Sequence, residues 1–212
     1  MIHRDLKPSN ILLASTAEQT TLKLADFGYA RVLGETDLEG TILSLLPEGG
    51  PVADLGCGPG ELLDALSAKA QRLIGVDASP AMLEIARKKP RLAGASLRVG
   101  ELEHLPLADG EARAAVMSLT LHHLSDPRAA LAEAGRVVAP GGVLVVADYL
   151  KHENELMRER FGDRWLGFSS QEVSSWLDRA GFTVERIEEK PVKLGLRLGF
   201  YVARRPFTEE RG

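Results

Sequence analysis

Residues 52–60 read Val-Ala-Asp-Leu-Gly-Cys-Gly-Pro-Gly, and a second apolar run downstream closes on Val76-Asp77. A short aliphatic run, three closely spaced glycines and a helix-forming stretch leave the chain few options. The run is a buried strand, the glycines make a tight turn where main chain can approach a ligand, and the next segment is a helix leading to a second strand that ends in a carboxylate. A carboxylate in that position can take both hydroxyls of a ribose. A nucleoside-containing cofactor is therefore expected across the first two strands.

The spacing of the glycines narrows the choice. A dinucleotide site lays a pyrophosphate on a helix N-terminus behind G-x-G-x-x-G. Here the pattern is G-x-G-x-G, at Gly56, Gly58 and Gly60, and the next residue is Glu61. A carboxylate there suits the helix dipole but repels a phosphate, and Asp54 adds a second negative charge just before the turn. S-adenosylmethionine has no phosphate and carries an ammonium and a sulfonium, so an acidic rim favours it over NAD.

From about residue 50 onward, strand-like and helix-like segments alternate. Strands are expected at 51–55, 72–76, 96–99, 114–119, 143–147, 182–187 and 197–203. A helix is expected at 61–69 with Leu62, Leu63 and Leu66 on one face, and a short one at 41–46 leads into the sheet. Ser79 with Pro80 starts a helix whose Met82, Ile85 and Ala86 face inward, and Asp126 with Pro127 repeats that start. Pro140-Gly141-Gly142 is expected to end the latter helix. Ser169 and Glu172 form a capping box, and Gly181 stops the helix they open. This alternation implies a doubly wound α/β layer with a mostly parallel sheet. Ligands of such sheets sit beyond the carboxyl ends of the strands. The glycine loop, Asp77, Glu101, Ser118–His123 and Asp148 all fall on that edge.

Charge and cysteine content exclude several other classes. Lys plus Arg number 26 against 30 Asp plus Glu, with no long basic run, so nucleic acid is not an expected partner. The one cysteine permits no internal disulfide and fits a cytoplasmic location. No apolar stretch has the length of a membrane span, and no metal-ligand set is expected. The sequence does not set the oligomeric state.

Residues 41–205 resemble the class I S-adenosylmethionine-dependent methyltransferases of the small-molecule type. The likeness rests on VADLGCGPG (52–60), IGVDASPAMLEIAR (74–87), LPLADGEARAAVMSLTLHHLSDP (105–127) and RVVAPGGVLVVAD (136–148). Residues 151–177 are similar to the methyltransferase half of bacterial proteins in which an ArsR-type winged helix precedes the enzyme. The resemblance implies a seven-stranded Rossmann-like sheet and S-adenosyl-L-methionine as cofactor. Asp54, Gly56, Cys57, Gly58 and Gly60 would hold its methionine end, and Asp77 with Ala78 its ribose. Met82 would lie against the adenine, Glu101 and Leu102 near the adenine amino group, and Ser118 and Leu119 beneath the cofactor. Glu101 stands where the family usually has an aspartate. Cys57 reads as a small loop residue rather than a nucleophile, since no basic partner is near it in sequence.

His122, His123 and Asp148 are the candidate catalytic residues. One imidazole would take a proton from the acceptor, oriented by Asp148, and the other would bridge loops. Residues 149–168 form the expected lid and acceptor wall, where Tyr149, His152, Arg158, Arg160, Trp165 and Phe168 mix charge with aromatic surface.

Residues 1–34 follow another pattern. IHRDLKPSN (2–10) and ADFG (25–28) resemble the catalytic and metal-binding loops of protein serine/threonine kinases, with Asp5, Lys7, Asn10 and Asp26 in the matching positions. Neither a glycine-rich loop nor a strand lysine precedes them in this chain, so no kinase activity is expected. Residues 1–34 are read as a fragment and 35–212 as the methyltransferase domain. The expected function is methyl transfer to a small-molecule acceptor. The alternatives are a non-catalytic S-adenosylmethionine-binding regulatory module and an inactive kinase remnant that binds nucleotide.

Overall fold

The computed structural model describes residues 36–207, and the kinase-like motifs at 2–10 and 25–28 lie outside the described residues. The chain begins with α1 (Leu38–Leu45), β1 (Pro51–Leu55), α2 (Glu61–Leu66), β2 (Arg72–Asp77), α3 (Pro80–Arg87) and β3 (Ser96–Val99). It continues through β4 (Ala112–Ser118), α4 (Pro127–Val137), β5 (Val138–Tyr149), α5 (Ser170–Arg179), β6 (Thr183–Pro191) and β7 (Arg197–Arg204). Seven strands form one sheet in the order β3-β2-β1-β4-β5-β7-β6. The strands from β3 to β5 pair in parallel, and β7 runs antiparallel to both β5 and β6.

Side-chain alternation divides this sheet between two cores. Ala53, Leu55, Leu144 and Val146 point to one face, where Leu131 of α4 and Leu177 of α5 cover them. Val52, Val143, Val145 and Ala147 point to the other, against Ile42 of α1, Leu63 and Leu66 of α2 and Leu83 of α3. Strands covered on both faces need aliphatic residues at every position, as Val143–Ala147 shows. Each fully buried leucine contributes about 1.5–3 kcal/mol.

The chain reverses its direction of growth across the sheet between β1 and β4, and there the glycine loop emerges. Asp54 of β1 pairs with Gly75 of β2 and Val116 of β4. The loop after β3 is tied down from α4. Arg136 donates to the Leu105 and Leu107 carbonyls at 3.0 and 2.7 Å, and the Leu105 N–H donates to Glu133.

The helix starts agree with the sequence reading: Ser79 and Asp126 accept from their own first turns, and Ser169 with Glu172 makes the capping box. Four details differ. The first helix begins at Leu38, capped by Asp37, rather than at Thr41. Helix α2 ends at Leu66, where the Ser67 hydroxyl donates back to the Asp64 carbonyl and tightens the last turn. On α3 the buried side chains are Leu83 and Ala86, with Met82 and Ile85 half-buried. Pro140, Gly141 and Gly142 do not end α4, which stops at Val137. They bulge from the β4–β5 ladder between the pairs Ala112↔Val138 and Ala114↔Val143, and Gly141 donates to Arg205 instead.

Candidate functional site

The glycine loop is held by main chain. The N–H groups of Gly56 and Cys57 both donate to the Val76 carbonyl, at 2.8 and 3.0 Å, and Gly60 donates to Cys57. All three glycines have positive φ. A Cβ on Gly60 would lie 2.8 Å from Leu92 Cδ1, so packing as well as backbone demands glycine there. A Cβ on Gly58 would meet nothing within 4 Å, so its outer face borders open space. Cys57 lends the loop only its main chain. Its sulfur faces inward across Gly75, and burial pushes the thiol pKa up.

Two carboxylates flank this loop on different terms. Asp77, at the end of β2, accepts from the Gly58 N–H and the Ser79 N–H, each at 2.8 Å, one on each oxygen. These bonds aim the carboxylate across the mouth of the loop. Burial raises its pKa and the two N–H donors counter that. Asp54 is 2% exposed. Its Oδ2 is buried with no hydrogen-bond partner among the described residues. Burial, with the Asp77 charge second, raises its pKa to about 7.

Of the other expected contact positions, Leu102 reaches the loop, with its Cδ1 3.5 Å from where a Cβ on Gly56 would stand. Met82 stands half-buried on α3, two residues after Pro80. Leu102 is buried, while Glu101 beside it is exposed. Ser118 ends β4, and Leu119 follows with φ of 54°, its N–H donating to the Ala147 carbonyl at 2.8 Å. A non-glycine residue in left-handed backbone is strained and turns the chain sharply where β4 ends. The sequence reading missed Thr120, whose methyl group packs against the α-carbon of Gly56 and whose hydroxyl is buried and unpartnered among the described residues.

The histidine pair separates into two environments. His122, in a short 3₁₀ turn after β4, is 1% exposed. Its Nδ1 lies 2.6 Å from Asp148 Oδ1 and its Nε2 3.8 Å from Asp163 Oδ1. Burial disfavours its charge more than any other single influence, but the two carboxylates together raise its pKa. Asp148 also accepts from the Leu121 and Tyr149 N–H groups, at 2.8 and 2.7 Å. The His122 carbonyl receives Arg164 and Trp165 N–H, so it bridges loops. His123 is half-buried, with its ring 4.1 Å from that of His122. Burial and the neighbouring imidazole push its pKa down to about 3. Asp163 carries no sequence signal, because it reaches the histidines from the far end of the 149–168 segment.

That segment folds back along β5. Leu150 bridges Phe168, and Lys151 and His152 donate to the Phe168 and Leu166 carbonyls at 3.0 Å each. Tyr149 is buried with its ring 5.0 Å from His122. Phe168 turns into the core against Trp176. Trp165 is 41% exposed and donates to the Leu124 carbonyl. Arg158 pairs with Glu155 on the surface.

Residues 53–146, from β1 to β5, match a family described as a methyltransferase domain, and residues 1–45 match the protein kinase domain family. The kinase match runs into α1, whose Ile42 is buried in the sheet core. A malonyl-[acyl-carrier protein] O-methyltransferase of Hahella chejuensis is 29% identical over 91% of this chain and 67% of its own length. A trans-aconitate 2-methyltransferase of Methylobacterium nodulans is 33% identical over 68% of this chain and 62% of its own. The chain spans 29% to 67% of the length of such curated relatives. Among solved structures, an S-adenosylmethionine-dependent methyltransferase from Aquifex aeolicus superposes with a TM-score of 0.66 at 26% identity, covering 87% of this chain and 97% of that one.

Proposed function

We propose that this chain, which belongs to the class I S-adenosylmethionine-dependent methyltransferases, transfers a methyl group to a small-molecule acceptor held between the glycine loop and the 149–168 segment. The observation that carries this reading is Asp54. A buried carboxylate oxygen without a partner among the described residues, beside main chain that opens outward at Gly58, fits an ammonium group. Asp77, already aimed by two backbone N–H groups, keeps lone pairs for a ribose. The residues present therefore fit S-adenosylmethionine.

When bound, the cofactor supplies a methyl group on a positively charged sulfur, a leaving group that needs no activation. The work left to the protein is alignment and exclusion of water. Asp54 and the loop Gly56–Gly60 hold the amino-acid end. Asp77 and Ala78 fix the sugar, Met82 and Leu102 wall the base, and Glu101 lies at its outer edge. Ser118 and the strained Leu119, at the end of β4, would lie beneath the cofactor. The bound cofactor would supply the methyl group, and an acceptor that begins protonated would have to lose its proton as the methyl arrives. His123, with its ring 4.1 Å from that of His122, is the candidate to receive it, as a base that burial and the neighbouring imidazole weaken. Asp148 holds His122, and the His122 ring packs against that of His123.

Of the acceptors in the two relatives' names, trans-aconitate is a small molecule, which supports a small acceptor, and the other is a malonyl group carried on acyl-carrier protein. Arg158 is paired with Glu155, so nothing singles it out for an anionic acceptor. Trp165 lies at the surface and Phe168 in the core, which leaves neither ring as a plug and supports catalysis over sensing. No helix among the described residues is long and apolar enough to cross a membrane, and the lone cysteine fits the reducing cytoplasm. The test is conversion of labelled S-adenosylmethionine to S-adenosylhomocysteine with a panel of small acceptors. Turnover supports the reading; tight binding without turnover on any acceptor leaves a cofactor-sensing module.

A further inference from the structure

At the carboxyl ends of β4 and β5, donor atoms of His122, His123 and Asp163 lie within 4.8 Å of one another. Two of the side chains are sealed from solvent, with His122 1% and Asp163 4% exposed. His122 Nε2 and Asp163 Oδ2 have no hydrogen-bond partner among the described residues. A buried lone pair facing a buried carboxylate oxygen is a costly arrangement unless something between them accepts both.

The second nitrogen of His122 points to what that something is. Nδ1 lies 2.6 Å from Asp148 Oδ1, and Asp148 is itself anchored by the Leu121 and Tyr149 N–H groups. With its proton on Nδ1, the ring presents a bare Nε2. A carboxylate holding the rear nitrogen in this way is how metal-bound histidines are oriented. The 3.8 Å from Nε2 to Asp163 Oδ1 is too long for a hydrogen bond. It is near the separation of about 3.4 Å between two donors that each sit about 2.0–2.1 Å from one tetrahedral ion. Nearby His152 is not part of the set, since its Nδ1 accepts from the Asn154 N–H and its ring packs edge-on to Tyr149.

We propose that His122 Nε2, His123 and Asp163 bind a divalent transition-metal ion, zinc in preference, with Asp148 as the group that orients His122. Two imidazoles and one carboxylate are a zinc-type donor set that leaves a fourth position for solvent. The ion ties the 3₁₀ turn after β4 to the far end of the 149–168 segment, two stretches that the His122 carbonyl also joins by accepting from the Arg164 and Trp165 N–H groups. The donor set includes no glycine-loop residue; with the ion bound, His123 is a ligand, and the acceptor's proton leaves to solvent instead.

The experiment uses the full chain without an affinity tag, stripped with a chelator, dialysed, and titrated with zinc chloride by calorimetry. Cobalt(II) serves as a second, visible probe. One equivalent of zinc is expected, with a cobalt spectrum of a four- or five-coordinate nitrogen and oxygen site. Asp163→Asn should weaken zinc at least 100-fold, His123→Gln likewise, and Asp148→Asn about 10–100-fold, each checked for native circular dichroism. Failure of the native chain to take up a stoichiometric metal overturns the proposal, and His122 is then an imidazolium shared by two buried carboxylates. Undiminished zinc binding by folded Asp163→Asn and His123→Gln overturns it equally.

Discussion

The two halves of the carboxyl edge of this sheet recognise charge by opposite means. Around the glycine loop the contacts are main chain: Val76, Gly58 and Ser79 backbone groups shape the crevice, and one carboxylate oxygen of Asp54 is left over. Behind β4 and β5 the contacts are side chains, with His122 set between Asp148 and Asp163. The first half is open where a ligand would lie. The second is sealed, and its charges face one another. A surface made of backbone keeps its shape when empty, whereas a cluster of buried ionisable groups holds together only while every member is present.

That contrast breaks most visibly at Asp148. Asp148→Ala strands His122, Leu121 and Tyr149 at once, and should cost about 3–5 kcal/mol in urea unfolding. The loop should respond more selectively. Gly60→Ala meets Leu92 and adopts left-handed backbone, so a loss of about 2–4 kcal/mol in folding stability is expected. Gly58→Ala meets nothing, so it should cost about 1 kcal/mol in stability while lowering cofactor affinity more than tenfold. Calorimetric titration of both variants separates a loop that serves the fold from one that serves a ligand.

Asp54→Asn should weaken S-adenosylmethionine by about 1–3 kcal/mol yet leave the empty protein as stable as before, or more so. The native carboxyl holds its proton up to pH about 7, well above the ordinary value of 3.8. Its contribution to stability is therefore full below about pH 4 and is lost as pH rises through about 7. Thermal melts of the native chain should show that loss and Asp54→Asn should lack it. An arriving ammonium favours the ionised form, so cofactor affinity should increase as pH rises through 7, and only in the native chain. Equal pH profiles for both proteins would place the ammonium elsewhere.

The smallest effect lies away from both halves. Glu111 accepts from Arg98 at 2.6 and 2.9 Å, and that bond holds its pKa down at about 2. Its stabilisation is complete above about pH 4.5 and disappears as pH falls through 2. Because Arg98 is partly exposed, Glu111→Gln should cost only about 1 kcal/mol at neutral pH.

Much of the fold was legible because its signals are local. Ser79-Pro80, Asp126-Pro127 and Ser169 with Glu172 mark helix starts by bonds within one turn. Val143–Ala147 reads as a doubly covered strand from composition. The errors arose where distant partners decide. Pro140-Gly141-Gly142 has the composition of a helix stop, yet Arg205 draws Gly141 into a bulge beside the sheet. On α3 the sequence favoured Met82 and Ile85, but the fit against β2 and the loop buries Leu83.

Sequence alone determined the strand–turn–helix unit around Asp54 and Asp77, since glycines with positive φ and a strand-ending acid leave the backbone one arrangement. Tertiary structure decided the rest of the edge. It chose which histidine is sealed, brought Asp163 to it from the end of the 149–168 segment, and set Thr120 over Gly56. Those groups meet only after β4, β5 and the returning segment pack together, and no periodicity in the chain records which side chains a packed layer will place face to face.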